Sequence, residues 1–106
     1  MAAPFLLREA VRRMHFVYIL ACRQSGRSYV GQTDHLIRRY RAHCAGSTRT
    51  TRERLLEPVV VHWEIHPTRA AAMGRERYYK AGSGHRVRTE LVNRGLREFA
   101  PCLSRP

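Results

Sequence analysis

Two apolar runs near the start of the chain are separated by a short polar stretch. Residues 15–21, HFVYILA, are rich in β-branched and aromatic types, and a second run of this kind occupies residues 28–31. Between them, residues 24–27, QSGR, supply turn chemistry. The pattern predicts a β-hairpin.

A helix is predicted next, from about residue 34 to about residue 45. Its apolar residues recur at helical spacing and are Leu36, Ile37, Tyr40 and Cys44. Asp34 is suited to cap its N-terminus, and Gly46 is placed to end it. The polar, basic residues 47–57 that follow are predicted to form a loop beside the binding surface.

Residues 59–65 alternate in character and predict a third strand. The alternation places Val59, Val61, Trp63 and Ile65 on one face and Val60, His62 and Glu64 on the other. Thr68 is a fitting N-cap for a second helix that runs to about Lys80. A break at residues 82–84, GSG, then precedes a third helix over residues 87–96.

The order β-β-α-β-α-α predicts an α+β domain, with helices packed on a small, mainly antiparallel, three-stranded sheet. With 106 residues, the chain fits one domain. We assign residues 1–14 to a basic helical extension, 15–96 to the domain and 97–106 to a tail. Apolar runs are far shorter than the ~18 residues that span a bilayer, which excludes a membrane protein.

The net positive charge of the chain indicates a polyanionic partner. The chain has 20 Lys and Arg against 8 Asp and Glu, a net charge of +12, and Lys80 is its only lysine. Guanidinium groups pair bidentately with phosphate, so nucleic acid is the expected partner, ahead of acidic lipid. The alternative is that the arginines reflect a GC-rich genome and a solvated surface.

The cellular compartment is inferred from two features. Three cysteines lie far apart with no CxxC spacing, which favours reduced thiols and a cytoplasmic protein of bacterial type. The Arg-rich, nearly acid-free residues 1–14 also fit a mitochondrial transit peptide, and we keep that as the minority interpretation.

Several polar residues lie where they can carry chemistry. Tyr18 and Tyr29 occupy the two strands of the hairpin, although a tyrosine in a strand usually serves packing. Arg39 and His43 are four residues apart and share a helix face, either as a site or as a solvated flank. Glu76 is predicted to face inward, where it needs an arginine, Lys80 or a hard divalent cation.

The same residues resemble the GIY-YIG nuclease superfamily. Residues 16–18, FVY, and 29–31, YVG, look like its two naming motifs, residues 33–43 look like the helix that follows, and Glu76 with Lys80 resembles its metal-binding helix. The likeness covers about residues 15–95. It is closest to small stand-alone members related to the nuclease domain of the bacterial excision-repair incision subunit and to nucleases that cut branched DNA. Each motif is short, but their joint order and spacing make the signal specific.

The resemblance implies a catalytic role for five residues. Tyr29 would be the general base near the attacking water, with Tyr18 beside it, and Arg39 would stabilise charge on the scissile phosphate. His43 would hydrogen-bond a tyrosine or relay a proton, and Glu76 would hold the metal ion. Sequence leaves open whether tyrosine, histidine or metal hydroxide takes the proton.

Three positions depart from the family pattern. Phe16 stands where the motif name has glycine, and Gln32 stands where some relatives carry lysine. Asn93 is the only asparagine in the chain, and it lies far beyond Glu76 for an equivalent of the family's late asparagine.

These observations predict a metal-dependent endonuclease that uses Mg²⁺ or Mn²⁺ on DNA, with action on branched structures in repair or recombination as one option. The residues predicted to contact nucleic acid are Arg27, Arg38, Arg41, Arg49, Arg52 and Lys80. The alternative is a non-catalytic module that binds DNA or RNA through its arginines, and a third hypothesis is a domain that needs a partner subunit. Oligomeric state, and the choice among flap, branched, single-stranded and duplex substrates, stay open.

Overall fold

In the part of the chain that the structure describes, three strands and three helices follow one another in the predicted order. They are β1 (His15–Cys22), β2 (Ser28–Thr33), α1 (Leu36–Cys44), β3 (Pro58–His66), α2 (Arg69–Lys80) and α3 (Gly82–Leu103). The computed structural model describes residues 14–46 and 57–103, with side chains as far as residue 98. The predicted α+β class is confirmed. The proposed N-terminal extension, except Met14, and most of the predicted loop, with Arg49 and Arg52, lie outside the described residues.

The sheet has the strand order β2-β1-β3, with both pairs antiparallel. The predicted hairpin of β1 and β2 is confirmed, and its turn places Gly26 at a φ of 73°, where glycine is favoured. The central strand β1 is buried on both faces. One face, formed by Val17, Ile19 and Ala21, packs with residues of α2 and α3, and the other, formed by Tyr18, Leu20 and Cys22, packs with residues of α1.

The predicted faces of β3 hold as far as Val61 and are wrong from His62 onward. Leu20 pairs with Val60 and Ile19 pairs with His62, so Val61 is an extra residue in the ladder. A bulge of this kind shifts which side chains share a face. Trp63 is therefore not on the side of Val61 in the core but is 52% exposed on the opposite face.

Helix α1 begins two residues later than predicted, and its cap is not Asp34. The backbone N–H of His35 donates to Thr33 Oγ1 at 3.1 Å, and the His35 ring nitrogen Nδ1 accepts from the N–H of Arg38 at 3.3 Å. This local turn puts His35, rather than Asp34, at the N-cap. Gly46 has a φ of 70° just beyond the helix, which fits the predicted stop.

The two C-terminal helices pack together on the other face of the sheet. Thr68 caps α2 as predicted, its Oγ1 accepting from the N–H of Ala71 at 3.1 Å. The predicted break is present at Gly82, whose φ of 59° turns the chain after α2, but it is shorter than predicted because α3 already begins at Gly82.

Helix α3 also continues to Leu103, past the predicted boundary at residue 96. Its inner side supplies Val92 to the core, with Val87, Leu91 and Leu96 packed around it. Among the described residues, none of the helices has the length and apolar character that a bilayer crossing needs.

Candidate active site

Tyr18 and Tyr29 lie side by side on the α1 face of the hairpin. Tyr18 pairs across the strands with Gly31, two residues after Tyr29, so all three share one face. The two rings have centroids 6.1 Å apart. A Cβ on Gly31 would lie 2.5 Å from the Tyr18 hydroxyl and 2.8 Å from the Tyr29 ring. The glycine is therefore what allows both rings to cross the strand.

Helix α1 completes the group with Arg39 and His43, four residues apart on the face that covers the sheet. Arg39 Nε donates to the Tyr18 hydroxyl oxygen at 3.3 Å. The same hydroxyl lies 3.0 Å from His43 Nε2. The His43 ring also contacts the Tyr29 ring, with centroids 5.2 Å apart. Four of the five residues predicted to be catalytic thus form one contiguous cluster.

Burial fixes the protonation states in this cluster. Tyr18 is 1% exposed, and burial raises its pKa to about 12, against which the hydrogen bond from Arg39 acts only in part. His43 is equally buried, and burial together with the nearby Arg39 charge lowers its pKa to about 4. Both groups are neutral at pH 7. The consistent arrangement is Arg39 donating to the Tyr18 oxygen and Tyr18 donating to His43.

Tyr29 differs from Tyr18 in being only half-buried, and the strand that carries it borders an open groove. This groove has a volume of about 780 Å³. Its walls come from the β1–β2 turn, the start of β2, the end of α2 and the first turns of α3. The lining residues are Gly26, Arg27, Ser28, Tyr29, Val30, Lys80, His85, Arg88 and Thr89. We refer to it below as the basic groove.

Glu76, the predicted metal ligand, is not hydrogen-bonded to the tyrosine cluster in the described contacts. It lies on α2, on the sheet face opposite α1, and its carboxylate accepts from Lys80 Nζ at 2.9 Å. Lys80 also lines the basic groove, together with Tyr29. Glu76 is thus linked to a residue of the basic groove, and not to the tyrosine cluster, by this ion pair.

The remaining predicted contacts to nucleic acid are distributed over two surfaces. Arg27 and Lys80 line the basic groove, whereas Arg38 and Arg41 are exposed on α1.

Sequence reasoning missed Arg88 and His85, which also line this groove. Arg88 donates from Nε to Ser28 Oγ and from Nη2 to the Ser28 carbonyl oxygen, each at 2.9 Å. These contacts tie α3 to the start of β2 across 60 residues of sequence. No local pattern marks such a contact, because it depends on how α3 packs.

A second polar cluster surrounds Glu64 on the α2 face of β3. Its carboxylate accepts from Arg75 Nε at 2.9 Å and from the Tyr79 hydroxyl, and it lies 2.8 Å from His62 Nε2 and 2.9 Å from His66 Nε2. Burial by itself raises the pKa of Glu64, but these hydrogen bonds lower it to about 2. Within the described part of the chain, no group of three or more His, Cys, Asp or Glu is arranged to hold a metal ion. Through Arg75 and Tyr79, the cluster joins α2 to β3.

Comparison with known families decides the identity of the fold. The family model of the GIY-YIG catalytic domain matches residues 14–88, which include the tyrosines, Arg39, His43 and Glu76. The chain belongs to the GIY-YIG family. This is a family of nucleases, and membership implies nucleic acid as the substrate class.

One curated relative supports the assignment. The chain is 42% identical over 69 residues to UPF0213 protein HQ_3675A of Haloquadratum walsbyi (strain DSM 16790 / HBSQ001), a match that covers 63% of this chain and 74% of the relative. No solved structure gives a significant match. The GIY-YIG assignment therefore rests on sequence, and the cluster of Tyr18, Tyr29, Arg39 and His43 agrees with it.

Proposed function

We propose that this GIY-YIG protein is an endonuclease that hydrolyses phosphodiester bonds in DNA with the help of one divalent metal ion. The observation that carries the proposal is the hydrogen-bonded chain from Arg39 through Tyr18 to His43, with Tyr29 beside it at the basic groove. This arrangement combines a half-buried tyrosine with an exposed guanidinium, and the strand that carries the tyrosine borders a cationic groove suited to phosphates.

Tyr29 is the proposed general base because it is the less buried of the two tyrosines. Tyr18, with a pKa of about 12, keeps its proton at pH 7 and serves to hold Arg39 and His43 in place. In the proposed step, deprotonated Tyr29 takes a proton from water as the water oxygen bonds to phosphorus. The bond from phosphorus to the leaving oxygen then breaks, and that oxygen takes a proton from solvent.

Arg39 supplies fixed positive charge to the same site. It interacts with both tyrosines, and its hydrogen bond to Tyr18 is the largest cause of its raised pKa. Arg39 is also exposed, so its charge is available to stabilise the negative charge that develops on the phosphate.

Glu76 fits a metal ion of the Mg²⁺ type. It offers a single, partly exposed carboxylate beside the groove, and Mg²⁺ is commonly held by one or two carboxylates with several waters. When bound, such an ion acidifies water and offsets phosphate charge. Glu76 would hold the ion in exchange for its present contact with Lys80.

A cleavage assay on defined substrates tests the proposal. Single-stranded, duplex, flap and branched DNAs and one RNA are incubated with Mg²⁺, Mn²⁺ or EDTA, using wild type, Tyr29→Phe and Glu76→Ala. We expect metal-dependent cutting that is lost in both variants. Glu90→Ala, an exposed carboxylate on α3, is the control and should cut like wild type.

The alternative is a module that binds DNA or RNA without cutting it. One observation favours it: Glu76 is already paired with Lys80 at 2.9 Å, so a metal ion must compete with an ammonium group. Tight binding without cleavage under every condition would support this alternative. Cleavage that persists in EDTA or in Glu76→Ala would contradict the metal role.

A further inference from the structure

The basic groove carries several cationic side chains on its walls. Arg27, Lys80 and Arg88 contribute cationic side chains, and His85 adds an imidazole on the same wall. No carboxylate is among the described lining residues, although Glu76 lies next to Lys80. Such a surface attracts phosphates over its whole length.

The groove is also held in a fixed shape. Both 2.9 Å hydrogen bonds from Arg88 go to Ser28, which directly precedes Tyr29. Arg88 therefore positions the groove wall formed by α3 against the strand that carries the proposed base. Phosphates bound along this wall would lie beside the strand that carries Tyr29.

The size of the groove limits what it accepts. Its volume of about 780 Å³ is in the range of pockets that hold a single small molecule. A few nucleotides of one strand can enter such a space, whereas a base-paired duplex can only lie across its mouth.

From these features we propose that the basic groove receives an unpaired strand next to the cleaved phosphate, with Arg27 and Lys80 binding its backbone. This inference rests on the proposed function, since Tyr29 is the reference point for the cut. It selects single-stranded DNA, or the unpaired arm of a flap, as the substrate class over continuous duplex.

Binding measured in EDTA tests the groove separately from the chemistry. The probe is a fluorescein-labelled single strand, compared by anisotropy with a flap and with a blunt duplex of the same sequence over a range of salt concentrations. The variants are Arg27→Gln and Lys80→Gln. Arg86→Gln is the matched control, because it removes one charge from an exposed α3 residue outside the groove lining.

We expect the single strand and the flap to bind several-fold more tightly than the duplex. Each groove variant should weaken binding and reduce the slope of log K against log salt by about 0.7, the value for one lost phosphate contact on a single strand. Arg86→Gln should leave the slope unchanged. Circular dichroism should show all three variants folded, since exposed substitutions usually change stability by less than about 0.5 kcal/mol.

Two outcomes would overturn the inference. One is a duplex bound as tightly as the single strand, and the other is Arg27→Gln and Lys80→Gln behaving like Arg86→Gln. If the groove variants weaken strand binding but no substrate is ever cut, the proposed catalysis fails while the groove stands. If duplex is cleaved and Arg27→Gln cleaves it like wild type, the proposed strand binding in the basic groove is contradicted while the proposed catalysis stands.

Discussion

Gly31 determines the position of both active-site tyrosines. Its missing side chain leaves room for Tyr18 and Tyr29 to cross β2, and an added Cβ would come within 2.8 Å of both rings. The last glycine of the FVY/YVG pair of motifs is thus explained by packing between rings and backbone. It does not require an unusual φ.

Gly31→Ala should therefore displace the tyrosines. We expect cleavage to fall by at least tenfold and the free energy of unfolding to fall by about 1–3 kcal/mol, as in other overpacked sites. Cleavage assays and urea denaturation on the same preparations measure the two effects.

Gly74→Ala is the control for this substitution. Gly74 lies inside α2, and nothing lies within 4 Å of a Cβ placed there. Alanine is favoured over glycine in a helix by about 1 kcal/mol. The control should be as active as wild type and equally or more stable, and a similar loss in both variants would refute the packing argument.

His43 makes stability depend on pH at the acid side of neutrality. Its folded-state pKa of about 4 lies below the ordinary value of about 6.5, so the unfolded chain binds the additional proton. The stabilising contribution of neutral His43 is complete above about pH 6.5 and is lost as pH falls toward 4.

Urea denaturation of wild type and His43→Gln between pH 4 and pH 7.5 checks this dependence. The variant should be less stable at pH 7.5, and its stability should fall less on acidification than that of wild type. Parallel pH profiles for the two proteins would show that His43 is not the titrating group.

At the scale of elements, Glu64 fastens α2 to β3. Arg75 and Tyr79 reach it from α2, and His62 and His66 reach it along the strand. This contact exists because the bulge at Val61 turns Glu64 toward the helix. It holds in place the helix that also carries Glu76.

Glu64→Gln should destabilise the fold by about 1–3 kcal/mol, because it removes the charge from hydrogen bonds that α2 donates. Since the folded-state pKa of Glu64 is lowered to about 2, its contribution is present above about pH 4.5 and is lost as pH falls toward 2. Thermal melting at pH 7 and at pH 3 measures both effects. Glu90→Gln, on an exposed α3 position, is the control and should melt like wild type. If Glu64→Gln also melts like wild type, Glu64 does not stabilise the packing of α2 on β3.

At the scale of the whole molecule, the folding unit is longer than the family match. The match ends at residue 88, but Leu91, Val92 and Leu96 of α3 pack on the core. A Cβ on Gly95 would lie 2.5 Å from Cβ of Val61, so α3 lies directly on β3.

Removal of residues 89–106 should consequently unfold the protein. Burial of a Leu or Val side chain contributes about 1.5–3 kcal/mol, and a whole domain has only about 5–15 kcal/mol of stability. A chain ending at residue 98 keeps these contacts and should melt cooperatively. Circular dichroism of the two truncated proteins provides the comparison, and cooperative melting of the shorter one would show that α3 is dispensable.

The sequence by itself determined the order of the elements and most of the active-site cluster. Strand runs, turn residues and helical spacing are local properties, and they predicted the hairpin, the face shared by Arg39 and His43, and the Thr68 cap. The same local spacing placed Tyr18 and Tyr29 on adjoining strands.

Only the tertiary structure decided which faces meet and where the groove forms. The bulge at Val61, the shift of the α1 cap to His35 and the continuation of α3 depend on packing that residue spacing does not encode. Arg88 reaches Ser28 across 60 residues, so neither neighbour reveals the other in the sequence. Local preferences set the elements, and the free energy of burying their faces set the site.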